Sequence, residues 1–179
     1  MRRTILLATL IVSRASGAQA AAEDPALRHS VEQLRTVVGN WNVTTDFLED
    51  DGSVGRSERG TYSFHWIVED RVVGGRSEIP AMNQASGILF YVNEARRVIE
   101  MVSVAGDGKL WIMTGPLGGE QRGTAEFRTA GGGTARLRFT RFNVQPDAFE
   151  SRMEYSEDGG KTWKPANHQR FRRATDPRG

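Results

Sequence analysis

From Trp41 onward this chain is cut by turn-forming residues at intervals too short for helices. Glu49-Asp50-Asp51-Gly52, Glu69-Asp70, residues 80–85, Asn93-Glu94, Gly106-Asp107-Gly108, Gly118-Gly119, Gly131-Gly132-Gly133, Gln145-Pro146-Asp147 and Asp158-Gly159-Gly160 are all turn chemistry. Glycine supplies positive φ there, and Asp or Asn bonds nearby amides. The segments between these breaks number about ten and alternate apolar with polar residues, as strands with one buried face do. Strands joined by short sequential hairpins suit an up-and-down arrangement, and closing it into a barrel leaves no unpaired edge. The expected fold is all-β, an antiparallel up-and-down β-barrel of about ten strands with one short N-terminal helix.

The helix signal is local and complete. Asp24-Pro25 reads as N-cap and first helical residue. Leu27, Val31, Leu34 and Val38 then form one apolar stripe, and Gly39 ends it. That stripe needs an apolar surface, and an open barrel end offers one.

Arg2 and Arg3, the apolar run at residues 5–12 and the small residues Ala18-Gln19-Ala20 read as an export signal. The run is far below the ~20 residues that span a bilayer. The expected organisation is therefore a signal peptide over residues 1–20 and a single barrel domain over residues 21–179, periplasmic or secreted after cleavage near Ala20. No integral membrane anchor is expected. The formal charge of +2 falls once Arg2, Arg3 and Arg14 leave, since 21 basic residues then face 22 acidic ones, a net of −1. A near-neutral chain with scattered arginines lacks the concentrated basic field that nucleic acid requires. With no cysteine in the chain, neither disulfides nor thiol chemistry enter.

Parity along the strands sorts side chains into two faces. Leu137 and Phe139, then Phe149, Met153 and Tyr155, alternate with Arg136, Arg138, Glu150, Arg152 and Glu154. Tyr62, Phe64 and Trp66 share one face, as do Trp41, Val43 and Phe47. By the same reading the candidate cavity lining is Phe64, Trp66, Leu89, Tyr91, Met113, Phe139, Met153 and Tyr155. Residues 88–92, 98–104 and 110–113 are apolar on both faces. Something must cover their outer side, either the helix or a second copy in a homodimer.

Three features in order carry a family resemblance: Gly39-Asn40-Trp41, the run from Tyr155 to Trp163 with Asp158 and Gly160 at its turn, and Phe171-Arg172-Arg173. Together they resemble the calycin superfamily of lipocalin-like barrels, and more closely the bacterial calycin-like domain of unknown function 1579, over roughly residues 30 to 173. The resemblance implies a barrel that holds a small molecule and transfers no catalytic residue. A physical reading stands beside it. Gly39 lets helix turn into strand without a Cβ in the way. Trp41 plugs the narrow end, and Arg173, which shares parity with Phe171 and Trp163, stacks on it. The run from Ser156 to Trp163 also resembles the Asp-box of sialidase-type propellers, but those need several copies and this chain has one.

The histidines His29, His65 and His168 show no zinc spacing. Haem barrels of the nitrobindin type use a histidine near the C-terminus, which makes His168 the haem candidate. Its parity with Lys164, Arg170 and Arg172 puts it on the solvated face. No catalytic set, metal site or phosphate loop is evident, nor any titratable group on the inward parity. The leading expectation is a barrel that binds a small hydrophobic molecule in its interior and needs no cofactor. The alternatives are an enzyme of cyclase or isomerase type working by cavity shape, a haem barrel through His168, and a protein-interaction or assembly module.

Overall fold

Asp24 accepts a hydrogen bond from the Ala26 amide at 3.0 Å, and Pro25 opens α1 (Pro25–Val37) in the computed structural model, which describes residues 24–175. The export signal expected over residues 1–20 lies outside the described residues. Thirteen residues after the N-cap the helix ends, and beyond its C-cap Val38 the strand begins with Gly39 at φ 127°. The backbone angle favours glycine, and a Cβ there would also displace the Arg173 guanidinium.

The strands follow as β1 (Gly39–Leu48), β2 (Val54–Val68), β3 (Val72–Ile79), β4 (Gln84–Asn93), β5 (Val98–Ala105) and β6 (Leu110–Pro116). They continue as β7 (Gln121–Gly123), β8 (Phe127–Arg128), β9 (Thr134–Gln145), β10 (Ala148–Ser156) and β11 (Lys164–Arg173), with a 3₁₀ turn at Pro80–Met82 between β3 and β4. Neighbours pair antiparallel in chain order, and β11 pairs with β1 through Trp41 opposite Arg173, which closes the ring. Ten strands make the barrel; β8 is a two-residue ladder on the first residues of β9. The stretch after Gly118-Gly119 is thus not one strand. At Thr124 the hydroxyl takes the Leu137 amide at 2.9 Å while the Thr124 amide donates to the Leu137 carbonyl at 3.0 Å, so the ladder is bridged by a side chain and the chain leaves the wall.

The helix closes one end of the barrel. Leu34 and Val37 are buried against a core that includes Trp41, Phe64, Phe90, Ile99, Phe149 and Phe171. Fully burying a side chain such as Leu34 stabilises by ~1.5–3 kcal/mol. Polar contacts then fix the helix to three hairpin turns. Gly118 donates its amide to Ser30 Oγ at 2.8 Å, Gln33 Nε2 donates to the Gly119 carbonyl at 3.0 Å, and Arg35 forks onto Asp70 at 2.7 and 2.9 Å. Arg97 reaches Asp24 at 2.7 Å. The helix covers the barrel end and not the outer side of the middle strands. Val104, Leu110 and Ile112 there stay 43–54% exposed.

Trp41 is fully buried and donates from Nε1 to the Val37 carbonyl at 2.8 Å. The Arg173 guanidinium sits 4.3 Å from its ring and also donates to the carbonyls of Val38 and Thr36, the otherwise orphaned end of the helix. Arg172 points the other way and is exposed.

Candidate functional site: an interior cavity with a buried cation

The barrel is not filled. A cavity of about 360 Å³ runs from α1 toward the opposite end, at the lower edge of the range of small-molecule sites. Its closed end is made by Gln33, Leu34 and Val37 of α1 with Phe90, Phe149 and Phe171; the far end is framed by Phe47, Ile79, Trp111 and Leu137.

Of the residues that parity nominates, Phe64, Met113, Phe139 and Met153 line this space. Trp66 packs on the core nearer the helix without lining the cavity. Leu89 and Tyr91 face outward, because β4 turns Ile88 and Phe90 to the interior. A strand apolar on both faces carries no parity signal, and that is where the reading slipped by one residue. Tyr91 bonds Glu100 outside the barrel, an interaction that pushes its hydroxyl pKa up. Tyr155 stands at the rim, its hydroxyl donating to Asp50 at 2.6 Å.

One wall is polar and satisfied. Gln169 Nε2 donates to Tyr62 Oη at 2.9 Å and Thr45 Oγ1 at 3.1 Å, and its Oε1 accepts from Ser151 at 3.3 Å. Burial pushes the Tyr62 phenol pKa up, so the group stays neutral.

Two arginines at the closed end are the feature the strand reading missed. Arg141 is 6% exposed and forks onto Glu120 at 2.8 and 3.0 Å, with Nη1 on the Gln33 carbonyl at 3.2 Å. Burial works to raise the Glu120 pKa, yet the Arg141 contact holds it below the ordinary carboxylate range. Arg122 is 4% exposed, and its Nη2 donates to Gln33 Oε1 at 3.2 Å. Its Nε is buried with no partner. Burial first, then the Arg141 charge, pull its pKa down to about 10, so it remains charged at neutral pH. Arg141 was legible, since it shares the odd parity of Leu137 and Phe139. Arg122 was not, because three-residue β7 shows no alternation.

His168 is outside the cavity. Its Nε2 lies 2.6 Å from Glu150 Oε2, and its ring stacks on Phe142 at 5.8 Å. Among the described residues no cluster of His, Cys, Asp and Glu could hold a metal ion. The signature turn is built by Asp158, which accepts from the amides of Lys161 and Thr162 at 2.9 and 3.0 Å and from Ser156 Oγ at 2.8 Å. Gly159 and Gly160 take φ 76° and 95°. Trp163 packs over Gly160, donating to its carbonyl at 3.1 Å, with Arg138 stacked 4.1 Å from the ring.

No family model matches the chain, and no curated protein does either. Solved structures resemble it in fold. One is the S-type phycobiliprotein lyase of Guillardia theta, 12% identical, with a TM-score of 0.51 over 84% of this chain and 96% of that one. Another is a protein of unknown function from the DUF3598 family of Nostoc punctiforme, 12% identical, with a TM-score of 0.50 over 79% of this chain. This chain spans about half of that one, 49% of its length.

Proposed function

We propose that this protein is an exported calycin-like barrel, of the kind its Gly39-Asn40-Trp41 and Asp158-to-Trp163 signatures resemble, and that it holds a small, mostly apolar molecule in its interior. The observation that carries this reading is the cavity of about 360 Å³. Apolar and aromatic side chains supply most of its wall, and α1 closes one end. A ligand entering from the Phe47 and Trp111 end would trade water for Ile88, Phe90, Met113 and Phe139. Burial of apolar surface supplies the driving force, at roughly 25 cal/mol per Å² before the costs of association. The likeness to a phycobiliprotein lyase is one of fold and does not name a ligand.

Delipidated protein should take up the neutral fluorophore N-phenyl-1-naphthylamine one to one, with a blue-shifted emission. Met153→Trp, which fills part of the cavity, should abolish uptake while the fold is retained. Protein from its own host should carry a small molecule in native mass spectrometry that denaturation releases. An empty native mass together with no uptake by the delipidated protein would sink the reading.

A further inference from the structure

Arg122 hydrogen-bonds no carboxylate among the described residues, although it is 4% exposed and lies inside the barrel. Its surroundings are Gln33 from α1, Arg141 from β9, Glu120 just before β7, and the rings of Phe90 and Phe139. Glu120 is taken up bidentately by Arg141. Two buried guanidinium groups therefore share one carboxylate, and Nε of Arg122 faces no acceptor. An uncompensated buried charge is a large desolvation cost, and each buried unsatisfied polar atom in a native fold calls for an explanation.

The contacts present do not supply that explanation. The rings of Phe90 and Phe139 lie 6.0 and 5.9 Å away, at the outer limit of a cation–π interaction. The bond to Gln33 would be made as well by a neutral donor. The cavity walls, by contrast, are organised around this charge. Among the described lining residues there is no Asp, Glu or Lys, and the only charged groups are Arg122 and Arg141. The polar wall of Gln169, Tyr62 and Thr45 is already satisfied internally. The space beyond Arg122 is walled chiefly by apolar and aromatic groups.

We propose that Arg122 anchors the carboxylate of an apolar monocarboxylate, whose hydrocarbon body fills the cavity from α1 toward the Phe47, Trp111 and Leu137 end. This rests on the interior-carrier reading above and gives it a ligand class. The carboxylate takes Nε and Nη2 of Arg122 as a charge-assisted pair, and Gln33 moves its side-chain oxygen aside or shares Nη2. The ligand charge neutralises the closed end, where two guanidinium groups then face two carboxylates. Neutral analogues leave Arg122 unpaired, and cationic ones meet like charge.

The test is displacement of N-phenyl-1-naphthylamine from delipidated full-length protein by decanoate and decyltrimethylammonium, below their micellar concentrations, and by 1-decanol, below its solubility limit. Decanoate should displace at about tenfold lower concentration than 1-decanol, the scale of a hydrogen bond to a charged group, and the ammonium should be the weakest. Arg122→Met keeps the volume and removes the charge; with each probe read against the variant's own fluorophore affinity, it should bring decanoate down to the level of 1-decanol. If the fluorophore and 1-decanol bind but wild-type decanoate is no better than 1-decanol, the anion anchor is wrong and the carrier reading survives. If Arg122→Met folds and keeps the decanoate preference, Arg122 is not the anchor. If neither the fluorophore nor any decyl probe binds wild-type protein, both readings fall. The wild-type comparison decides even if the variant does not fold.

Discussion

Trp41 and Arg173 join three elements at one point. The indole is fully buried against Phe149 at 4.9 Å and Phe171 at 6.3 Å, and its Nε1 holds the last carbonyl of α1. The guanidinium above it takes the carbonyls of Thr36, Val38 and Pro146, so the helix end, the first strand and the β9–β10 turn converge on one side chain. Trp41→Ala should cost about 3–5 kcal/mol, the range for truncating a buried aromatic. Arg173→Ala should cost about 1–3 kcal/mol, since both a ring stack and charged hydrogen bonds are lost. Arg172→Ala, on the exposed side of the same strand, should stay within about 0.5 kcal/mol. Denaturant midpoints at fixed m check all three, and an Arg172→Ala cost above that of Arg173→Ala would refute the assignment.

The β10–β11 hairpin is built around one ionised group. Asp158 gathers the Thr162 hydroxyl, the Thr162 and Lys161 amides and the Ser156 hydroxyl, contacts that hold its carboxyl well below the ordinary range. Because the folded pKa lies below the unfolded one, folding favours the ionised form. Its contribution is complete above the unfolded pKa of about 4 and is lost only as pH falls through the lower folded value. Asp158→Ala should therefore speed amide exchange at Gly160, Lys161 and Thr162 at neutral pH and remove the acid sensitivity of that exchange after correction for intrinsic rates. Unchanged protection in the variant would show that the two glycines shape the turn without the carboxylate. At this scale the two-sided apolar strands gave the least to a sequence reader. In β4, Ile88 and Leu89 are equally good inward candidates, and only pairing to β3 and β5 decides that Ile88 faces in.

For the molecule as a whole, the helix plugs an end, and among the described residues the barrel wall carries an exposed apolar patch. Val102, Val104, Leu110 and Ile112 lie on paired positions of β5 and β6, outside the ring, with three of them 43–54% exposed. With the helix at the barrel end, the sequence leaves a second copy of the chain as the expected cover for this face. Sedimentation velocity at micromolar concentration should show a dimer that Ile112→Lys converts to monomer with unchanged folding. A wild-type monomer across that range would refute it. Ligand occupancy is separable from this, because the cavity and the patch lie on opposite faces of the same strands.

Turn residues at short intervals were enough to fix a sequential antiparallel barrel, because Gly, Asp and Pro act through local backbone geometry that needs no distant partner. The N-cap at Asp24, the helix stripe and the glycine at position 39 are legible for the same reason. Alternation likewise reached Phe64, Phe139 and Met153, where one face of the strand is polar enough to break the symmetry. The interior charge was decided elsewhere. Whether an arginine is solvated or buried depends on which strand ends, turns and helix residues converge on it, and for Arg122 those are Gln33, Glu120 and Arg141, up to 89 residues away along the chain. The open cavity has the same origin: side-chain volumes are written in the sequence, but the ring of ten strands sets the space they must fill.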